Sequence, residues 1–364
     1  MPAPPLFVTR KFPPAVGGME SLAAGVWRVV QSTWPDAALI ANGGSNRRLV
    51  WWLPLAVART LWLVLRGRAT FVLTGDALLY AVLGPLLRLL RVPHATLVMG
   101  LDLTYENKAY RAVVHPVVRR GPCVFAISEA TASAARAFGV PAERVHVLRL
   151  GVPAPAVSAA DREAARRSLV TRLGVSDDAV LLVTLGRLVR RKGARWFVTH
   201  VLPELPSSIH YVIAGSGPES EPVALAAATA GVARRVHLLG AVDDDLRETV
   251  LRGGDVFVQP NIPVDGDMEG FGLVTIEAAL RGTPVAAAAL EGINDAVLDG
   301  QTGILVPPED ADAWRQQLAE LCSDRQALVA AGQAFRAGAL DVYSETAMAA
   351  ALVGLLRAAA NPTS

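Results

Sequence analysis

The stretch "AVLLVTLGRLVRRKG" (residues 179–193) joins a short apolar run to a basic loop that is flanked by glycines. Apolar runs of this length that end at glycine are typical of buried strands. Similar runs follow along the chain: "HYVIAGSG" (210–217), "RVHLLG" (235–240), "DVFVQP" (255–260), "PVAAAA" (284–289) and "TGILVP" (302–307). Helical patterns separate most of them, so this part of the chain is predicted to form a parallel sheet covered on both faces.

The residues before this stretch repeat the same pattern. Their apolar runs are "PLFVT" (5–9), "AALIA" (37–41), "TFVLT" (70–74), "ATLVM" (95–99), "CVFAI" (123–127) and "RVHVLRL" (144–150). A proline- and alanine-rich stretch near 151–160 interrupts the alternation, and 364 residues exceed the usual size of a single core. We therefore predict an α/β protein of two Rossmann-like parallel-sheet domains, residues 1–155 and 156–345, with a final helix at 346–364 that crosses back to the first.

Composition limits the classes of partner. The chain has 35 basic and 33 acidic residues, a net charge of +2 that gives no support for a nucleic-acid partner. Cys123 and Cys322 fit no metal-binding spacing and suit a reducing compartment. Because "MPAPPLFVTRKFPP" does not have the pattern of a signal peptide, we expect a cytoplasmic protein.

One apolar segment, "LVWWLPLAVARTLWLVLRGR" (49–68), leaves two interpretations open. Its proline and arginines make it a poor membrane-spanning helix, which needs about 20 apolar residues with few charges. It can be a helix packed on the sheet. It can also be an interfacial helix with tryptophans among lipid headgroups, which would place the protein peripherally on the inner face of a membrane.

Glycine-containing loops follow several of the strands. Ligands of open parallel sheets bind beyond the carboxyl ends of the strands, and two such domains are expected to face each other across a cleft. The candidate loops are "TRKFPPAVGGME" (9–20), "GRLVRRKG" (186–193), "GSGPES" (215–220) and "NIPVDGDMEGFG" (261–272). The glycines that could approach a phosphate, or merely form turns, are Gly17, Gly18, Gly215, Gly217, Gly270 and Gly272.

The loop at 186–193 also carries a rare lysine. Lysines are found at only three positions, 11, 108 and 192, among the 35 basic residues. An Arg187 guanidinium and a Lys192 ammonium five residues apart would suit a diphosphate, although a solvated surface explains them equally well.

Several motifs together resemble family four of the glycosyltransferases, which has the GT-B fold. They are "FPPAVGGME", "GRLVRRKG", "IAGSGPE", "EGFGLVTIEA", "RGTPVAAA" and "DGQTGILVPPED", and they occur in this order between residues 12 and 310. The resemblance implies retaining transfer of a hexosyl unit from a UDP- or GDP-linked sugar to a hydroxyl acceptor: a carbohydrate, a lipid-linked molecule or a small natural product. The second domain would bind the donor and the first the acceptor.

The resemblance also implies roles for individual residues. Glu269 corresponds to the glutamate that binds hydroxyls of the donor sugar, and Glu277 to the one that binds ribose. Backbone amides near Phe271, Gly272 and Leu273 would face the phosphates and the sugar, and the backbone around Val242 would lie near the base.

The implied mechanism is electrostatic. Arg187 and Lys192, aided by Gly18, would stabilise the departing nucleoside diphosphate, so no metal or other cofactor is expected. The acidic run "DDDL" (243–246) also permits a metal site, but it suits a helix N-terminus better.

Two positions depart from the family pattern. Met99 in "VMGLD" stands where a histidine is usual, while Asp102 on the acceptor side is retained. A thioether cannot donate the hydrogen bond of that histidine. Glu291 in "LEGIND" stands where glycine is common. A nucleotide-sugar-binding protein with lost or altered catalysis, and a nucleotide-sugar epimerase, therefore remain as alternatives.

Overall fold

The computed structural model describes residues 4–15, 18–44, 49–105, 107–121 and 123–360. Gly17 lies outside the described residues. The chain separates into two compact units, one formed by Met1–Val152 with Tyr343–Ser364 and the other by Pro153–Val342.

The first unit contains a six-stranded parallel sheet in the order β2-β1-β3-β4-β5-β6. Its strands are β1 (Leu6–Thr9), β2 (Ala38–Ala41), β3 (Val72–Thr74), β4 (His94–Val98), β5 (Val124–Ala126) and β6 (Val145–Val147). The intervening helices are α1 (Gly18–Thr33), α2 (Leu49–Leu65), α3 (Ala77–Leu89), α4 (Leu101–Thr104), α5 (Lys108–Arg119) and α6 (Glu129–Ala137).

The second unit contains a six-stranded parallel sheet in the order β12-β11-β10-β7-β8-β9. Its strands are β7 (Val180–Leu185), β8 (Ile209–Ala214), β9 (Val236–Gly240), β10 (Val256–Gln259), β11 (Val285–Ala288) and β12 (Ile304–Val306). The helices are α7 (Ala159–Leu173), α8 (Ala194–His200), α9 (Ser220–Thr229), α10 (Asp244–Gly253), α11 (Leu273–Leu280), α12 (Ile293–Ala296), α13 (Ala311–Leu321) and α14 (Arg325–Tyr343). The predicted fold class is confirmed.

Burial of the strands explains why the sequence forms parallel sheets. Every residue of β4 and β10 is buried, as expected for strands covered by helices on both faces. In the second unit, Phe197 of α8 packs edge-to-face against the fully buried Trp314 of α13, with 5.8 Å between ring centroids. Aromatic packing of this kind joins helices that are distant in sequence.

Helix α2 packs on the first sheet through one side. Ala56 is buried in the core there, and the Trp52 indole donates to the Ala41 carbonyl at 3.2 Å. The other side leaves Trp51 79% and Leu55 70% exposed. The guanidinium of Arg66 lies 5.4 Å from the Trp62 ring centroid. Helix α2 therefore packs on the sheet, as one of the two interpretations predicted. Its other side presents an apolar face to solvent.

The last helix, α15 (Glu345–Ala360), belongs to the first unit and packs against α1. Arg28 of α1 pairs with Glu345 at 2.9 Å, and Met348 is buried. Within the described residues, the segment Arg325–Ala359 is long and apolar enough to cross a membrane by length and composition. The segment comprises α14 and α15, and 28% of its apolar window is buried in the protein.

Candidate active site

Backbone packing fixes the glycine loops after β7 and β8. Gly215 has φ +142°, and a Cβ there would lie 1.8 Å from the Gly186 carbonyl oxygen. A Cβ at Gly217 would lie 2.1 Å from the Leu188 carbonyl oxygen. Only glycine fits such close approach, so both residues have a structural function whether or not they also contact phosphate.

The loop after β7 also packs against the loop after β10. Arg190–Lys192 form a single 3-10 turn that ends at Gly193, where φ is +67° and a Cβ would lie 1.7 Å from the Pro260 carbonyl oxygen. The Ile262 amide donates to the Arg191 carbonyl at 2.9 Å. These contacts bring Lys192 beside the residues that follow β10.

Glu269 lies at the centre of the resulting charged cluster. Its Oε2 is 2.6 Å from Lys192 Nζ, 2.7 Å from an Arg191 guanidinium nitrogen and 3.2 Å from Asn261 Nδ2. Arg191 also pairs with Asp267 at 2.9 Å. Two cations therefore converge on a single carboxylate oxygen.

Burial and charge act against each other in this cluster. Burial alone would raise the pKa of Glu269, but the charges of Lys192 and Arg191 lower it below its ordinary value. Burial lowers the pKa of Lys192, and the Glu269 carboxylate partly offsets that change. Glu269 is thus held ionised as a hydrogen-bond acceptor.

Helix α11 begins beside this cluster. Gly272, with φ +77°, is its N-cap, and Leu273 is its first residue. Phe271 is buried, so this position contributes its backbone to the loop. First-turn amides have no acceptor within a helix and attract anions. Among the described residues, Gln259 Nε2 and Asn261 Oδ1 are buried without a hydrogen-bond partner, which leaves polar atoms for a ligand.

Glu291, the second departure from the family pattern, supports the same loop. Its φ of +50° lies in the left-handed region that glycine adopts without strain. Its carboxylate accepts a hydrogen bond from the Glu269 amide. Burial raises the pKa of Glu291, and the nearby Glu269 charge acts in the same direction. The substitution therefore adds an acidic contact behind Glu269.

Glu277 lies about one helical turn beyond the start of α11. Its carboxylate pairs with Arg247 of α10. Arg281, just beyond α11, donates to the Glu277 carbonyl at 2.9 Å and pairs with Glu248. Sequence reasoning missed Arg191, Arg247 and Asn261. Asn261 directly follows β10, so the rule that directs attention to strand ends could have found it.

The remaining donor-side residues lie apart from these contacts. Arg187 is exposed and has no ion pair with an acidic residue in the described parts of the chain. Val242 is half-buried just before Asp243, the N-cap of α10, which accepts a hydrogen bond from the Leu246 amide at 2.8 Å. The interpretation of "DDDL" as a helix start is confirmed.

The first unit has a buried carboxylate, Asp102, after β4. Asp102 Oδ1 accepts from the Met99 amide at 2.9 Å, and Oδ2 accepts from the Ala77 amide at 3.2 Å. Burial raises the pKa of Asp102 to about 6. Met99 is itself only 5% exposed. Asp102 thereby fixes the turn that carries Met99. Gly18 starts α1.

Comparison of sequences finds one matching family. Residues 179–324 match the model described as Glycosyl transferases group 1. A D-inositol 3-phosphate glycosyltransferase of Xylanimonas cellulosilytica is 33% identical over 58% of this chain and 53% of its own length. A GDP-mannose-dependent alpha-(1-6)-phosphatidylinositol monomannoside mannosyltransferase of Mycolicibacterium smegmatis is 34% identical over 53% of this chain and 51% of its own. The chain spans about half the length of these curated relatives.

Solved structures match nearly the whole chain. HepE of Anabaena, in complex with UDP, has a TM-score of 0.78 at 19% identity and covers 97% of this chain and 99% of its own. Sucrose-phosphate synthase of Thermosynechococcus elongatus has a TM-score of 0.76 at 19% identity, with coverages of 97% and 98%. The chain has the GT-B glycosyltransferase fold. The match of residues 179–324 to the Glycosyl transferases group 1 model confirms the resemblance seen in the motifs.

Proposed function

We propose that the protein is a retaining glycosyltransferase that moves a hexosyl unit from a UDP- or GDP-linked sugar to a hydroxyl acceptor. The observation that carries this proposal is the convergence of Lys192 and Arg191 on Glu269 beside the start of α11. The unpartnered polar atoms of Gln259 and Asn261 lie on the strand end and loop that precede it. HepE, which binds UDP, and the GDP-mannose-dependent relative support the choice of donor class.

Charge redistribution explains how the cluster would act. A donor diphosphate at the α11 N-terminus attracts Lys192, with Arg187 as a second cation, and both stabilise the negative charge that grows on the leaving nucleoside diphosphate. Glu269, kept ionised by its cations, accepts hydrogen bonds from donor-sugar hydroxyls. Glu277 binds the ribose, with Arg247 orienting its carboxylate. The acceptor hydroxyl attacks the anomeric carbon from the face that the diphosphate leaves, the bond from that carbon to the diphosphate oxygen breaks, and the hydroxyl proton passes to the departing diphosphate.

Lys192 and Arg187 supply positive charge that a metal ion provides in other sites, so the reaction proceeds without a divalent cation or other cofactor. Turnover measured after exhaustive treatment with chelator is expected to equal the untreated rate. Loss of activity in chelator that manganese restores would contradict this part of the proposal.

The acceptor is a carbohydrate, a lipid-linked molecule or a small natural product, and the protein acts in the cytoplasm. The exposed Trp51 and Leu55 of α2, with the basic Arg66 near its end, suit contact with the inner face of a membrane. Inositol phosphate and phosphatidylinositol mannoside, named for the relatives, are acceptors to test first.

Met99 favours one alternative, a nucleotide-sugar-binding protein with altered catalysis, because a buried thioether replaces a hydrogen-bond donor. An isotope-labelled UDP- or GDP-hexose incubated with these acceptors distinguishes the candidates. A glycoside product with the donor's anomeric configuration supports the transferase. Binding without turnover supports the alternative, and an epimerised donor indicates an epimerase.

A further inference from the structure

A cavity of about 470 Å³ lies in the second unit, among α7, α14 and the segments that precede β10 and β11. Six arginines line it: Arg162, Arg166, Arg252, Arg281, Arg325 and Arg336. The acidic residues of its described lining are Glu163 and Asp255. The wall therefore has four more positive than negative charges, in a protein whose overall charge is only +2.

Some of this positive charge is neutralised by carboxylates. Arg166 pairs with the buried Asp255 at 3.2 Å. Arg252 and Arg281 both pair with Glu248, which lies outside the cavity lining. Arg325, the first residue of α14, also lies 3.7 Å from Asp255. These ion pairs leave Arg162 of α7 and Arg336 of α14 without a carboxylate partner among the described residues.

Arg162 and Arg336 are the uncompensated pair. Arg162 donates to the Thr283 hydroxyl at 2.6 Å and to the Arg281 carbonyl at 3.1 Å. Arg336 donates to the Leu280 carbonyl at 2.9 Å and to the Pro155 carbonyl at 3.2 Å. Neither has a carboxylate within ion-pair distance among the described residues. Both side chains are half-buried, so solvent screens their charges incompletely.

The two arginines also lie close together. A Cβ at Gly282 would be 3.5 Å from Arg162 Cδ and 3.9 Å from Arg336 Cδ, so both side chains pass the same glycine. Like charges in a partly buried site repel, and a bound anion with phosphate or carboxylate groups would replace that repulsion with bidentate hydrogen bonds.

We propose that this cavity binds a small multivalent anion bearing phosphate or carboxylate groups, at a site separate from the nucleotide-sugar site. Its volume falls within the range of small-molecule pockets, roughly 300–1,000 Å³. Gly253 and Asp255 precede β10, whereas Asn261 and Glu269 follow it, so the two sites lie at opposite ends of this strand. Helix α11 starts at the donor cluster and ends just before Arg281, which lies in the cavity wall.

Calorimetric titrations of the full chain with inorganic pyrophosphate and with citrate test this inference. Gln333→Glu places a negative charge on the exposed α14 side of the cavity without removing an arginine contact. Gln316→Glu on α13 makes the same charge change outside it, and Lys192→Ala disables the donor cluster. We expect at least one probe to bind, with affinity reduced about 5- to 10-fold by Gln333→Glu, on the order of 1 kcal/mol for one added charge.

Gln316→Glu and Lys192→Ala are each expected to change the affinity for the bound probe by no more than about 2-fold. This change is smaller than the 10-fold change in affinity that corresponds to about 1.4 kcal/mol of binding free energy. The tighter of the two probes identifies whether phosphate or carboxylate is preferred. The proposal is overturned if neither probe binds at millimolar concentration. It is equally overturned if Lys192→Ala abolishes binding while Gln333→Glu leaves it unchanged, because the anion then occupies the donor site.

Discussion

Glu269 in the second unit and Asp102 in the first are carboxylates in segments that follow strands, half-buried and buried respectively, yet their partners differ in kind. Glu269 is paired with the side-chain cations of Lys192 and Arg191. Asp102 is held by the backbone amides of Met99 and Ala77. Side-chain cations can turn from the carboxylate to an arriving phosphate, whereas amides of a fixed turn cannot. The comparison assigns a role in stabilising charge to the Glu269 cluster and a role in fixing the backbone turn to Asp102.

Among the predicted effects, the loss of turnover in Lys192→Ala should be the largest. Removing a cation that acts on transition-state charge is expected to lower turnover by about 10²- to 10³-fold. Steady-state rates at saturating donor measure this loss. Arg190→Ala, an exposed arginine in the same turn, is the matched control and should retain turnover. Equal losses in both variants would show that general positive charge, not the Glu269 cluster, matters.

Asp102 should influence stability through its raised pKa. Its folded pKa of about 6 exceeds the ordinary 3.8, so the native state binds its proton more tightly than the unfolded state does. That stabilisation is complete below pH 3.8 and is lost as pH rises through 6, on the order of 3 kcal/mol. Urea unfolding of wild type and Asp102→Asn between pH 4 and 7 measures the change. A stability difference that is constant across this range would contradict the assignment.

Met99→His tests whether the turn held by Asp102 faces the sugar. Against Met99, a sugar hydroxyl would lose water without gaining a partner, at a cost of about 1–3 kcal/mol, or roughly 5- to 150-fold. The variant should therefore favour a fully hydroxylated hexose over its deoxy analogue by a factor in that range. Specificity constants for both donors with both proteins decide it, and an unchanged ratio would show that Met99 does not face the reacting sugar.

Glu291→Gln should have the smallest effect. Burial and Glu269 raise the pKa of Glu291, so its contribution to stability is present below the ordinary value of 4.5 and is lost as pH rises through the folded pKa. Glutamine retains an acceptor for the Glu269 amide without the charge. The Tm of the variant is expected to exceed that of wild type at pH 7 and to converge with it below pH 4.5. A Tm difference between the variant and wild type that is present below pH 4.5 and disappears at pH 7 would contradict the raised pKa of Glu291.

The sequence alone predicted both sheets because each strand falls in a short apolar run, and several of these runs, such as those of β7 and β8, end at glycine. It did not predict the partners of Glu269 and Glu277. Strand order brings β7 beside β10 although two strands separate them in sequence, and this adjacency places Arg191 against the β10 loop. Arg247 meets Glu277 through the packing of α10 on α11. Such pairs depend on tertiary neighbours, which a local pattern does not encode.

Lys192 and Glu277 are assigned different energetic roles, and one pair of kinetic measurements tests this division most directly. In the proposed mechanism Lys192 acts on charge that increases in the transition state, whereas the ribose contacts proposed for Glu277 would be similar in ground and transition states. Turnover number and donor KM should be determined for Lys192→Ala and Glu277→Ala in the same assay. We predict that Lys192→Ala mainly lowers turnover and Glu277→Ala mainly raises donor KM. A larger loss of turnover at saturating donor in Glu277→Ala would contradict the assignment of leaving-group stabilisation to the Lys192 cluster.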